Sequence, residues 1–172
     1  MKKTLFAVMA LLCMTLGLTA CGGDDEPTQT VNATATYQID FSADLVEVAN
    51  IAIVYVGDDG QVSIESVAAG SRQWLRQVTC PIKGKSVDFG FKVVYTPKRE
   101  ELTRDNYELT ATAKLTASTP TSNRTFTEAL MNSTVRANKV SETLSKGNDK
   151  PYGVTVTKDG SINRNDDFTV SI

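Results

Sequence analysis

The chain reads as an all-β antiparallel sandwich, and three patterns predict it. Apolar and polar residues alternate with period two in segment after segment, as in Tyr107-Glu108-Leu109-Thr110-Ala111-Thr112-Ala113. That spacing sends successive side chains to opposite faces of a sheet. Turn-forming clusters, Gly57-Asp58-Asp59-Gly60, Pro81 with Gly84, and Thr119-Pro120, separate the segments at short intervals. Threonine crowds the polar positions, while β-branched and aromatic residues fill the apolar ones.

Ala35, Tyr37, Ile39 and Phe41 share one face of a first strand, which Ser42-Ala43-Asp44 breaks. Val48 to Val56 is apolar on both faces and so belongs mid-sheet. Gly57 to Gly60 makes a hairpin turn, because Asp-Gly supports positive φ. Gln61 to Val67 returns, with Val62 and Ile64 expected inward. Trp74, Arg76, Val78 and Cys80 lie on one face of the next strand. Val87, Phe89, Phe91, Val93 and Tyr95 line the one after, which ends at Pro97. A charged connection, 98–105, leads to Tyr107 through Ala117, the clearest amphipathic strand.

Residues 125–146 read two ways. Phe126 to Val135 fits a strand, whereas Ala137, Val140 and Leu144 have helical spacing. Asn138 or Ser141 can cap and Lys146-Gly147 can stop, so one short helix is expected near 138–146. Pro151 to Thr157 then reads as strand, Lys158-Asp159-Gly160 as turn, and Asp167 to Ile172 as a final strand.

The first residues carry an address. Lys2 and Lys3 precede an apolar run from Leu5 to Leu18, shorter than the ~20 residues of a transmembrane helix. Leu18-Thr19-Ala20-Cys21 resembles the lipobox of bacterial lipoproteins, and Gly22-Gly23-Asp24-Asp25-Glu26 resembles the acidic export tag of Bacteroidota-type surface lipoproteins. The resemblance implies a signal peptide over 1–20, lipidation of Cys21, a lipidated acidic tether over 21–33 and one domain over 34–172. It also implies an outer-membrane, outward-facing location, with Asp24, Asp25 and Glu26 as the tag. The alternatives are a plain secretory signal with an incidental cysteine, and a spacer that merely lifts the domain off the headgroups. Each buried lipid CH₂ contributes about 0.8 kcal/mol, so a di- or triacylated terminus anchors without help from the domain.

Composition limits the chemistry. Of 172 residues none is histidine. The commonest general base and zinc ligand is therefore missing, and Ser-His and Cys-His nucleophile pairs are excluded. The net charge is −2, and signal removal takes away Lys2 and Lys3 while every acid lies beyond residue 20. With no basic stripe, nucleic acid is not an expected partner. Cys13 lies in the signal and Cys21 would be acylated, leaving Cys80 with no internal disulfide partner. Cys80 reads as a small core residue.

Local motifs add little. Glu101-Leu102-Thr103-Arg104-Asp105-Asn106-Tyr107 resembles the corner before the tyrosine of an immunoglobulin-like sandwich, which implies that subclass. An up-and-down barrel with a lipocalin-like cavity is the rival. Asp159 to Asp166 resembles the second half of an EF-hand or dockerin calcium loop, but Thr155 and Thr157 stand where acids belong, so a polar turn is expected and no metal or cofactor. Asp88 and Glu108 alternate with core positions and should face solvent, and no carboxylate pair stands out for catalysis. Trp74, the single tryptophan, is either core or a stacking face for a sugar, with Arg72 and Arg76 as polar neighbours.

The expectation is a non-catalytic, membrane-tethered binding or assembly module whose ligand is a glycan or a protein. The alternatives are a glycan-binding accessory protein of a surface uptake system, a lipocalin-like small-ligand binder, and a subunit of a surface fibre.

Overall fold

The structure is a computed structural model that describes residues 30–98, 101–148 and 150–171. The signal 1–20 and the anchor residues Cys21, Asp24, Asp25 and Glu26 lie outside the described residues.

Among the described residues nine strands form two antiparallel sheets, as the alternation predicts. In chain order the elements are β1 (Asn32–Phe41), α1 (Ala43–Val48), β2 (Ala49–Val56), β3 (Val62–Ser66), β4 (Gln73–Pro81), β5 (Ser86–Pro97), β6 (Asn106–Ser118), β7 (Asn123–Arg136), α2 (Val140–Gly147), β8 (Tyr152–Thr157) and β9 (Ile162–Asn165). One sheet has the order β4-β1-β6-β7 and the other β3-β2-β5-β8-β9. The sheets pack face to face and among the described residues do not join at their edges, so these residues form no lipocalin-like barrel. The constant-type immunoglobulin order puts its first strand at a sheet edge. Here β1 lies between β4 and β6.

The inner faces supply the core. Tyr37 and Ile39 of β1, Ile53 of β2, Phe89 and Phe91 of β5, Leu109 and Leu115 of β6, and Val154 and Val156 of β8 are all fully buried. The five tyrosines, Tyr37, Tyr55, Tyr95, Tyr107 and Tyr152, are buried too. Cys80 is a buried free thiol with its Sγ 3.3 Å from the Gly57 carbonyl. Ala33, in the stretch read as tether, is fully buried in β1.

Several details depart from the sequence reading. Ser42 does not simply break the chain: it caps α1, its Oγ accepting from the Leu45 N–H at 3.2 Å. The same hydroxyl donates to the Glu108 carbonyl and accepts from the Thr110 N–H, tying the helix start to β6. A six-residue helix is too short to display a period, which is why the pattern hid it.

In β3 the expected face is reversed. The turn pairs Gly57 with Gln61, and the register sets Tyr55 opposite Ser63 and Ile53 opposite Glu65. Since Tyr55 and Ile53 face inward, so do Ser63 and Glu65, and Val62 and Ile64 point outward. Turn geometry decided the register against hydrophobicity.

Phe126 to Val135 is strand, within β7. A bulge explains its mixed pattern: Ala111 pairs with Met131 but Thr112 with Ala129, so Leu130 is extra. Phe126, Glu128 and Leu130 face inward before it, Met131, Ser133 and Val135 after it, and Leu130 and Met131 are both buried.

The expected helix is α2, although neither Asn138 nor Ser141 caps it; Lys139 takes that place without a side-chain bond. Asn148, just past the helix, bonds the backbone of Tyr95 where β8 no longer pairs with β5.

The last strand among the described residues is Ile162–Asn165; 167–171 form none, and Ile172 lies outside the described residues. After the Asp166-Asp167 turn the chain folds back, and the Phe168 ring covers Gly90 and Gly153, which face each other across β5 and β8. A Cβ at either glycine would overlap that ring. At the start of β6 the Arg104 N–H donates to the Tyr107 hydroxyl at 3.2 Å, with the Arg104 guanidinium 4.5 Å over the ring.

Candidate functional site

The candidate ligand residues all come from β4 and the loop before it. Alternation turns Trp74 inward and leaves Arg76 at the side of the sandwich, where the edges of the two sheets meet without pairing. Glu65, inward on β3, faces them from the opposite sheet. Its carboxylate accepts from Trp74 Nε1 at 3.0 Å, from the Tyr55 hydroxyl at 2.8 Å and from the Arg76 guanidinium. Arg76 Nε also donates to the Tyr55 oxygen at 3.2 Å.

These contacts set the electrostatics. Burial pushes the Glu65 carboxyl up, but the bonds from Trp74, Tyr55 and Arg76 outweigh it and hold it below the usual carboxylate range. Burial raises the Tyr55 phenol, and the neighbouring Glu65 adds to the rise. Behind this cluster Trp74 stacks near Tyr37 with ring centroids 6.2 Å apart, and Tyr55 meets the indole edge-on at 5.2 Å. The Tyr37 hydroxyl crosses to the other sheet and donates to the Val56 carbonyl at 2.9 Å.

Trp74 is 7% exposed. A sugar needs an open aromatic face, so the stacking reading of Trp74 is corrected to a core role with a polar tip. Arg76 belongs to the Glu65 group. Arg72 stands apart, donating from Nε to the Phe41 carbonyl at 3.4 Å and lining an open cleft of about 390 Å³ with Asp40, Asp44 and Glu108. The three proposed ligand residues therefore do not converge on one site.

The opposite side is closed by the same device. Glu128, inward on β7, accepts from Arg164 of β9 at 2.7 Å, and that guanidinium lies 4.9 Å over the Tyr152 ring. Each seam thus carries an inward glutamate on one sheet and an arginine on the other.

Other acids are committed to local structure. Asp44 accepts from the Glu108 N–H and from Arg104, and those bonds lower its carboxyl. Asp159 accepts from the Ser161 N–H and the Thr157 hydroxyl, which make it a turn residue and lower its carboxyl as well. Asp88 and Glu108 are exposed, as their alternation predicts. Among the described residues no group of three potential ligands is placed to hold a metal ion, and no helix is long and apolar enough to cross a membrane.

What sequence reasoning missed is a set of exposed apolar side chains on the edge strands. Val62 is 48% exposed, Ile64 51% and Leu75 59%, and these are the exposed large apolar side chains among the described residues. Val62 and Ile64 stand on the outer face of the edge strand β3, and Leu75 on the outer face of the edge strand β4 in the other sheet. The β3 register would have revealed Val62 and Ile64, but that register depends on the turn.

Compared with protein-family models, curated proteins and solved structures, the chain matches none.

Proposed function

We propose that this chain is an outer-membrane lipoprotein, tethered through Cys21 and facing outward, whose sandwich is a non-catalytic binding or assembly module. The observation that carries the binding role is the exposure of Val62 and Ile64 side by side on the open edge strand β3. Soluble domains seldom collect apolar side chains beside open sheet edges unless another surface covers them. The address rests on Leu18-Thr19-Ala20-Cys21 and on Asp24-Asp25-Glu26. Within the sandwich class, the Tyr107 corner supports the immunoglobulin-like reading.

Two observations weigh against a glycan stacked on Trp74 and against a lipocalin-like cavity. Trp74 is buried, and among the described residues the sheets leave no closed barrel.

The test is fractionation of cells that express wild type and Cys21→Ala. The wild type partitions into detergent with the outer membrane, and the variant is released into the aqueous phase. Unchanged partitioning of Cys21→Ala overturns the anchor. Asp24→Ala with Asp25→Ala keeps the lipid but loses accessibility to protease added outside intact cells. Full accessibility of that double variant removes the role of the tag.

A further inference from the structure

We propose that the outer edge of β3 pairs with the β3 of a second copy of this chain, joining two sandwiches through one continuous sheet. This deepens the binding-or-assembly reading by naming the partner, and it does not depend on the anchor.

Val67 donates to the Ile51 carbonyl and Gly57 to the Gln61 carbonyl. In an antiparallel ladder these bonds fix the parity of the whole strand. Residues 61, 63, 65 and 67 turn their backbone groups toward β2. The N–H and C=O groups of Val62, Ile64 and Ser66 therefore point away from it, along the edge that no strand occupies among the described residues. The side chains that stand out on the outer face belong to these same residues.

The side chains make the edge self-complementary. A two-fold pairing centred on Ile64 sets Ile64 against Ile64, Val62 against Ser66 and Ser63 against Glu65. No like charges are opposed, and Glu65 is already matched by Arg76 of its own chain. The two exposed isoleucines then meet as a cross-strand pair, with the valines flanking them. Cyclic two-fold association needs this property of a patch: it must complement itself.

The remaining edges are defended differently. β7 carries a bulge, β9 is four residues long with Arg164 exposed, and β4 ends at Pro81. Bulges, short strands, charges and proline are the devices that discourage edge pairing. β3 presents Val62 and Ile64 instead.

The experiment is sedimentation velocity on the full-length protein in detergent, up to the order of 100 μM. The wild type shows a concentration-dependent dimer. Ile64→Lys, at a half-exposed position, keeps the wild-type melting temperature and raises the dimer dissociation constant at least about tenfold, because two lysines are then opposed. Ile64→Cys forms an intermolecular disulfide on mild oxidation, since a hydrogen-bonded pair spaces its Cα atoms about 5.5 Å apart. Lys114→Cys, on the outer face of the other sheet, does not. A wild type that stays monomeric overturns the proposal, whether β3 is then found bare or bound to a foreign strand. A dimer indifferent to Ile64→Lys overturns it as well. Neither result bears on fractionation of Cys21→Ala, so failure here is distinguishable from failure of the anchor.

Discussion

Asn148 stands in for a missing strand beside Tyr95. The Tyr95 N–H donates to Asn148 Oδ1 at 2.6 Å, and Asn148 Nδ2 donates to the Tyr95 carbonyl at 3.2 Å. β8 pairs with β5 only as far as Phe91, so this stretch of β5 would otherwise lack a partner on that side. Replacing Asn148 with alanine leaves a half-buried donor and acceptor unmatched and should destabilise by about 1–3 kcal/mol. Asn148→Asp retains the acceptor and loses the donor, so urea denaturation should place it between wild type and alanine.

Glu65 gives a pH signature. Its folded carboxyl lies below the usual range, so its contribution to stability is fully present above its unfolded pKa and lost as pH falls through the lower folded value. Glu65→Gln removes the charge but keeps an acceptor. The gap in melting temperature between wild type and Glu65→Gln should be widest near neutral pH and close below the ordinary carboxylate range. A gap that stays constant down to strong acid would assign the loss to packing instead.

The fully buried Phe91 sits against Tyr37 and Tyr152, with ring centroids 6.0 and 5.7 Å away. Phe91→Ala should cost about 3–5 kcal/mol. Calorimetry on the variant checks this, and a near-neutral result would mean that the site collapses around the smaller side chain.

Gly153 and Gly90 depend on Phe168. Gly153→Ala pushes a methyl into the ring and should cost about 1–3 kcal/mol by overpacking. Adding Phe168→Ala to Gly153→Ala should relieve part of that cost, so the two changes will be non-additive in a double-mutant cycle.

Legibility followed the length of the alternating runs. β1, β5 and β6 are long and one-sided, and their inward faces could be read from Tyr37, Phe91 and Leu109 alone. Short or irregular pieces failed for separate physical reasons. α1 is held by Ser42 reaching β6, a contact between residues far apart in sequence. β3 took its register from the turn, so Val62 and Ile64 faced the wrong way in the reading. β7 contains a bulge, which interrupts the period at Leu130. The segment after β9 carries Phe168, whose partners are two glycines and hence silent in any hydrophobic pattern. Of the candidate site, Trp74 was identifiable as a residue to examine, but its burial depends on Glu65 and Tyr55 arriving from the other sheet.

The place of β1 has a mechanical consequence. A pull transmitted along the chain that precedes Val31 meets a strand bonded on both flanks, to β4 and to β6, over nearly its full length. Drawn along its own axis, such a strand must shear two ladders together rather than peel from an edge one rung at a time. Resistance to force is set by the unfolding rate, so traction at that end should be borne by the middle of a sheet, the part of the body slowest to give way.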